Sequence, residues 1–403
     1  MPKVKIGIIA DDFTGASDAA SFLALNFKRV VIYTNVPTKI AENDEIDAIV
    51  IALKSRSVEP EKALAMCAKA VSFLQEFECE KVYFKYCSTF DCTPKGNIGR
   101  VLDFLLDYYN ESYTIICPSL PINGRIVKEG KIYVDGIELH HGYMAHHPLN
   151  PMWDSHIPTL MKQQSKYPCY AINKDKMKNI DETITTIKKC SDKFYLVPDY
   201  SNNEEGKAIA EKFSNLRLLS GGSGLLEFLE NDGTISRNDS VLKPEYLKSI
   251  ILCGSCSQMT RKQVEYYVNL GEKAYKISNE MLLNKEKAVA ELFGLISSGD
   301  GASLVYSFDD ENVTNNDVVK SKIIEEIFAK TAQLLVNSGW NNIVVAGGET
   351  AGAITLELGY SAFYVGETID PGVPALYPVS DSNVRVILKS GNFGALDFFS
   401  KAV

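Results

Sequence analysis

Lys5-Ile6-Gly7-Ile8-Ile9-Ala10-Asp11-Asp12-Phe13-Thr14-Gly15-Ala16-Ser17-Asp18 is the stretch on which the fold turns. Residues 5–10 form an apolar, β-prone run that stops at two adjacent aspartates and passes into a segment with helical patterning over 15–25. A strand that ends in polar groups and feeds a helix is the opening unit of a parallel α/β sheet. Ligands of such a sheet collect at the carboxyl ends of its strands, which is where Asp11 and Asp12 fall. The apolar run has no small-residue cleavage site behind it, so it reads as a buried strand of a cytoplasmic protein rather than a leader.

Outward from this unit the alternation continues. Strand-like runs at 30–34, 48–52, 81–86 and 113–117 are interleaved with helical patterns near 60–77 and 98–109. Residues 118–158 break the rhythm with prolines, glycines and no sustained period, and so long an irregular segment is usually functional. Strands resume at 194–197 and 216–219, the latter followed by Ser220-Gly-Gly-Ser-Gly224 opening a helix. A second series has strands near 249–253, 274–277, 303–307, 342–346 and 384–388, and helices near 260–270, 279–297, 317–337 and 350–358. The expected architecture is α/β: two tandem α/β domains with mainly parallel sheets and a substrate cleft between them. The first covers 1–230, a linker rich in Asn, Asp, Gly and Ser covers 231–248, and the second covers 249–403.

Composition agrees with a globular chain of that size. Of 403 residues 45% are hydrophobic, and no apolar run reaches membrane-spanning length, so no membrane partner is expected. With 42 Lys and Arg against 51 Asp and Glu, the net charge of −9 lacks the footprint of a nucleic-acid binder, and anionic ligands would need local cationic pockets. Nine scattered cysteines suit reduced thiols. A homodimer is expected only as the common default of soluble enzymes.

The residues after each strand carry the chemistry. Asp11, Asp12 and Asp18 exceed what a helix cap needs and suit hydrogen bonds to a polyol or proton removal from a hydroxyl. Lys54 and Arg56 follow the strand at 48–52, where an arginine fork would take a substrate carboxylate bidentately. Lys85, Ser88 and Asp91 follow the next strand and face the same crevice, and Arg125 arrives on a turn-rich loop. Together these describe a pocket for a small hydroxylated anion. In the second half, Gly254-Ser255-Cys256-Ser257 reads as a phosphate-binding turn at a helix start rather than a redox Cys-x-x-Cys. Gly347-Gly348-Glu349-Thr350 after an apolar strand lets phosphate oxygens approach backbone N–H groups, and Lys389-Ser390-Gly391 adds a second glycine loop with a lysine at its root. Two such loops in one sheet favour a nucleotide. All five histidines lie within 140–156, but their spacing fits neither His-Glu-x-x-His nor a finger.

With these motifs assembled, the sequence resembles the four-carbon acid sugar kinases, and within them the 3-oxo-tetronate 4-kinase group. The resemblance spans essentially the whole chain and is carried by IADDFTGASDAA (9–20), KSRS (54–57), KYCSTFDCTPKGNIG (85–99), CPSLPINGR (117–125), HHPLNPMWDS (146–155), GSCSQMT (254–260), GGETAGA (347–353) and LKSGNFG (388–394). It implies an acid-sugar-binding domain over 1–230 and a nucleotide-binding domain over 249–403, with ATP, accompanied by Mg2+, phosphorylating the terminal 4-hydroxyl of the acid. It places ATP at Ser255, Ser257, Gly347, Gly348, Glu349, Thr350, Gly391 and Lys389. It places the sugar acid at Asp11, Asp12, Arg56, Lys85, Ser88, Asp91, Arg125, His146 and His147. Arg56, with Arg125 or a histidine of the 146–147 pair, would hold the carboxylate, and Asp12 or Asp91 would be the catalytic carboxylate. His140, His141 and His156 are left as surface or packing residues, and no metal ligands are assigned. Cys92 and Trp153 depart from the small or hydroxylated residues expected there. The runner-up activities are D-threonate or erythronate 4-kinase and, from another class, an NAD-dependent dehydrogenase, which the missing G-x-G-x-x-G disfavours.

Overall fold

The structure, a computed structural model, describes residues 4–37, 46–146, 151–229, 244, 247–299, 301–308 and 318–403. The chain divides into two compact units, Met1–Val30 with Asn43–Arg237 and Val31–Glu42 with Asn238–Val403. Most of the 231–248 segment lies outside the described residues.

The first unit is built on strands β1 (Ile6–Ala10), β3 (Ala48–Ala52), β4 (Lys81–Lys85) and β11 (Leu218–Gly221), with β2 (Val30–Tyr33) passing to the second unit. The order β11-β4-β1-β3 is parallel throughout, with Ala10 level with both Ala52 and Lys85. Every residue of β1 and β3 is buried, which is why both read as continuous apolar runs rather than alternating ones. At about 1.5–3 kcal/mol for each buried Ile, Val or Leu, these strands anchor the unit.

A second parallel sheet joins β5 (Tyr113–Ile115), β10 (Phe194–Pro198) and β9 (Cys169–Ile172). The supposedly irregular stretch 118–158 instead contains a three-stranded antiparallel meander, β6 (Arg125–Lys128), β7 (Lys131–Val134) and β8 (Ile137–Glu138). Its two tight turns are Glu129-Gly130, with φ of 51° and 73°, and Asp135-Gly136, with φ of 51° and 81°. Positive φ at both central residues matches the right-handed twist of the flanking strands, and Asp-Gly is the usual sequence for such a turn. The strands are too short for periodicity to betray them.

The second unit has five parallel strands in the order β13 (Lys273–Lys276), β14 (Ser303–Tyr306), β12 (Ser249–Cys253), β15 (Asn342–Ala346) and β18 (Arg385–Lys389). The sheet then turns antiparallel through β17 (Val373–Pro378), β16 (Ala362–Asp370) and β2. Of these, β16 and β17 fall where the sequence showed no strand alternating with helices. No described helix is long and apolar enough to cross a membrane.

Candidate functional site

In the first unit the register delivers the predicted charges to one place. The Asp11 N–H donates to the Lys85 carbonyl at 3.1 Å, and the Ser55 and Arg56 N–H groups donate to the Asp11 carbonyl at 3.0 and 3.2 Å. Asp12 then caps helix Phe13–Leu23, its Oδ1 accepting from the Gly15 N–H at 2.8 Å and its Oδ2 from Thr14 Oγ1 at 2.9 Å.

Arg56 reaches across this turn. Its Nε and Nη2 donate to Asp11 at 3.0 and 2.7 Å, and Nη2 also donates to Asp12 Oδ1 at 2.8 Å. The fork that the sequence assigned to a substrate carboxylate therefore grips Asp11 through Nε and Nη2. Burial would lower the Arg56 pKa, but Asp11 and Asp12 push it well above its ordinary value. Burial likewise would raise the Asp12 carboxyl, yet Arg56, Lys85 and the bonds from Thr14 and Gly15 hold it below the usual carboxylate range. Lys85 is buried and pairs with Asp18 at 3.3 Å while donating to the Tyr86 carbonyl at 3.0 Å. Burial pushes the Asp18 carboxyl up despite that lysine.

Asp91 sits on the loop after β4. Its N–H donates to Cys87 Sγ at 3.2 Å and its Oδ1 accepts from Thr89 Oγ1 at 2.8 Å. Burial raises the Cys87 thiol, and the charges of Asp91, Arg56 and Asp11 all act on it, so Cys87 links Asp91 to the Asp11–Arg56 pair. Phe90 holds the left-handed conformation at φ 47° and is fully buried edge-on to Tyr86 at 5.4 Å, fixing Asp91 next to it. Ser88 is half-buried on the same loop. Arg125 lies instead on the antiparallel sheet, where its Nη1 donates to the nearby Asn123 carbonyl. His146 ends a 3-10 turn, and its side chain and all of His147 lie outside the described residues. Cys92 is buried, whereas Trp153 is 44% exposed.

In the second unit the neighbouring parallel strands β12, β15 and β18 end at Cys253, Ala346 and Lys389. Their outgoing loops are laced together: the Ser255 N–H donates to the Ala346 carbonyl at 3.0 Å and the Gly347 N–H to the Lys389 carbonyl at 2.9 Å. Ser257 caps helix Gln258–Asn269 and donates to the Gly391 carbonyl at 2.6 Å, which Thr260 Oγ1 also reaches at 2.8 Å. A Cβ on Gly391 would stand 2.5 Å from Ser255 Oγ and 3.0 Å from Ser257 Oγ, so a side chain there would push these hydroxyls aside. Gly347 adopts φ 122° at the start of helix Gly348–Leu358, which no side chain caps, and its leading N–H groups suit an anion. Lys389 is fully buried and donates to Thr260 Oγ1 at 3.0 Å, the Ser390 carbonyl at 3.1 Å and the Gly391 carbonyl at 2.9 Å. Burial pushes its pKa down to about 7. Burial also raises Cys253 to about 12 while Cys256 is exposed, and all nine cysteines are free thiols. The polar side chains along these loops are mainly the Ser255, Ser257 and Thr260 hydroxyls and the Glu349 carboxylate.

Several contributors carried no role in the sequence. Asn97 donates to the carbonyls of Ser55 and Val58, both at 2.8 Å, holding the loop that presents Arg56. Its partners lie about forty residues away, so no local pattern reveals it. Thr260 was legible in principle, because a residue three beyond an N-cap serine turns back toward the cap.

This division of labour, carboxylates and cations in one unit and phosphate-cradling loops in the other, has known counterparts. Residues 6–229 match the family model of a sugar-binding N-terminal domain, and residues 250–399 that of a nucleotide-binding C-terminal domain. The chain belongs to the four-carbon acid sugar kinase family. The 3-oxo-tetronate kinase of Haemophilus influenzae is 38% identical over 98% of this chain and 98% of its own. That of Salmonella typhimurium is 36% identical over 99% of this chain and 98% of its own. A crystal structure from Salmonella typhimurium LT2 superposes with a TM-score of 0.88 at 35% identity, covering 99% of this chain and 98% of that one. Haemophilus influenzae protein HI1011 superposes with 0.77 at 36% identity, covering 98% of each chain. As a member of this kinase family, the chain is a sugar acid kinase, a phosphotransferase with an alcohol acceptor.

Proposed function

We propose that this kinase transfers the γ-phosphoryl group of ATP to the 4-hydroxyl of 3-oxo-tetronate. The observation that carries the reading is the pairing of two unlike strand-end sites. One holds Asp11, Asp12, Arg56, Lys85 and Asp91, and the other the Ser255–Ser257, Gly347–Thr350 and Lys389–Gly391 loops. The substrate follows the full-length relatives named 3-oxo-tetronate kinase.

The hydrogen bonds favour different roles for the two candidate carboxylates. Both oxygens of Asp12 already accept hydrogen bonds and Arg56 keeps it ionised, so Asp12 orients the acid and anchors Arg56. Asp91 has one oxygen on Thr89 and takes the proton of the attacking hydroxyl. Arg56 Nη1 and Lys85 offset the charge of the substrate carboxylate, with Arg125 and the 146–147 histidines as further contributors. On the nucleotide side, backbone N–H groups of 347–350 receive phosphate oxygens, while Lys389, its ammonium held by Thr260, Ser390 and Gly391, adds positive charge to the Gly391 loop, and such transfers depend on positioning and charge neutralisation. Mg2+ would suit the hydroxyls of Ser255 and Ser257 and the Glu349 carboxylate, and when bound it supplies charge neutralisation at the phosphates.

A coupled assay of ADP release with 3-oxo-tetronate, D-threonate and erythronate tests the substrate. The reading expects 3-oxo-tetronate to give the highest kcat/KM. Preference for either other acid reassigns the specificity, and a nicotinamide absorbance change without ADP would overturn the kinase chemistry.

A further inference from the structure

The meander of the first unit carries a cluster that the kinase reaction does not use. Strand β8 ends at Glu138, and the 3-10 turn Leu139–His141 follows directly. One carboxylate oxygen of Glu138 and one ring nitrogen each of His140 and His141 lie within 4.8 Å of one another. We infer that Glu138, His140 and His141 form a three-ligand site for a borderline divalent cation such as Zn2+ or Ni2+.

The surroundings arrange these groups in advance. Lys131 Nζ holds Glu138 Oε1 at 2.8 Å, while Oε2 faces His140 Nδ1 at 3.9 Å, so one oxygen is fixed and the other is directed at the histidines. The His140 ring and backbone are both pinned by Ser155, whose Oγ lies 2.7 Å from Nδ1 and accepts the His140 N–H at 3.1 Å. Ser155 is fully buried, and its own N–H is held by Asp154 at 2.7 Å. With Nδ1 held by Ser155, Nε2 is the ring nitrogen His140 would offer an ion, which is how such partners orient ligating imidazoles in metal sites. Leu139 is buried between the ligands, which anchors the turn, and the His140 and His141 ring centroids lie 3.9 Å apart. Two imidazoles and one carboxylate select Zn2+, Ni2+ or Cu2+ over Mg2+ or Ca2+. Three protein ligands leave room for water, and the half-exposed Glu138 and His140 with exposed His141 allow entry from solvent. Because Ser155 belongs to the 146–155 segment, an ion here ties the meander to that segment.

Titration calorimetry and equilibrium dialysis of the full chain with ZnCl2 or NiCl2 alone, without nucleotide, test the site. One equivalent is expected to bind, weakened at least about tenfold by His141→Ala, Glu138→Gln or Ser155→Ala. Co2+ at the site should give d–d absorption without a thiolate charge-transfer band. His141→Ala should keep the parent circular dichroism and, without added metal, the parent turnover. The double variant Cys190→Ser/Cys256→Ser should bind as the parent does. Absence of stoichiometric binding overturns the inference. So does binding that survives His141→Ala and disappears in the cysteine variant or in His146→Ala/His147→Ala.

Discussion

Where the first unit gathers Asp11, Asp12, Asp18, Arg56 and Lys85 into mutually neutralising contacts, the second leaves Lys389 buried against a hydroxyl and two carbonyls, with no carboxylate among its described contacts. The first arrangement is made of side chains that hold one another in place, although burial pushes the Asp11 and Asp18 carboxyls up. The second is made of glycine loops, hydroxyls and helix starts, and on the proposed reading its Lys389 gains a full counter-charge when phosphate arrives. A hydroxylated acid needs acceptors as well as cations, and a carboxylate-rich cluster supplies both. A triphosphate needs N–H donors and no acceptors, which backbone loops provide.

The comparison breaks most visibly at Asp91. Asp91→Asn should lower turnover by about 10²–10⁴-fold while nucleotide affinity stays at the parent value, measured by steady-state kinetics beside calorimetry with a non-hydrolysable nucleotide. Equal loss of nucleotide affinity would show that the sites are not separable. Lys389→Met should act in reverse, weakening nucleotide binding by roughly 10–100-fold, the range of a hydrogen bond from a charged donor, and sparing the acid.

Lys389 also sets a pH dependence. With its pKa near 7, phosphate binding above that pH requires a proton to be taken up, so nucleotide affinity should weaken from pH 7 to 8.5 in the parent and stay flat in Lys389→Met. Stability runs the other way. Between the folded value of about 7 and the ordinary value of 10.5 the unfolded chain holds the proton the folded chain has released, so this residue makes unfolding harder as pH rises. Denaturant titrations at pH 7 and 9 should show that gain in the parent and its loss in Lys389→Met. The smallest effect belongs to Asn97→Ala, which should raise KM for the acid about fivefold by loosening the Arg56 loop, with nucleotide KM unchanged. A matching rise in nucleotide KM would point to general destabilisation instead.

Much of this was legible because parallel strands fully buried on both faces leave long apolar runs, and β1, β3, β12 and β15 all read that way. Their ends, with those of β4 and β18, pointed to Asp11, Arg56, Lys85, Ser255, Gly347 and Lys389 without any knowledge of pairing. What the sequence hid depends on contacts distant in the chain. The Arg56 fork looked available for substrate because its grip on Asp11, 45 residues away, is set by strand register. Asn97 was silent for the same reason. The meander at 125–138 was missed although Asp135-Gly136 is a hairpin turn in plain view, since strands of two to four residues carry too little pattern to be recognised.

Phosphorus NMR of a reaction containing ATP and 3-oxo-tetronate tests the central claim most directly. A new phosphomonoester resonance coupled to the C4 protons should grow in equal amount to ADP. Inorganic phosphate alone, a phosphoryl group on another oxygen, or no product at all would contradict it.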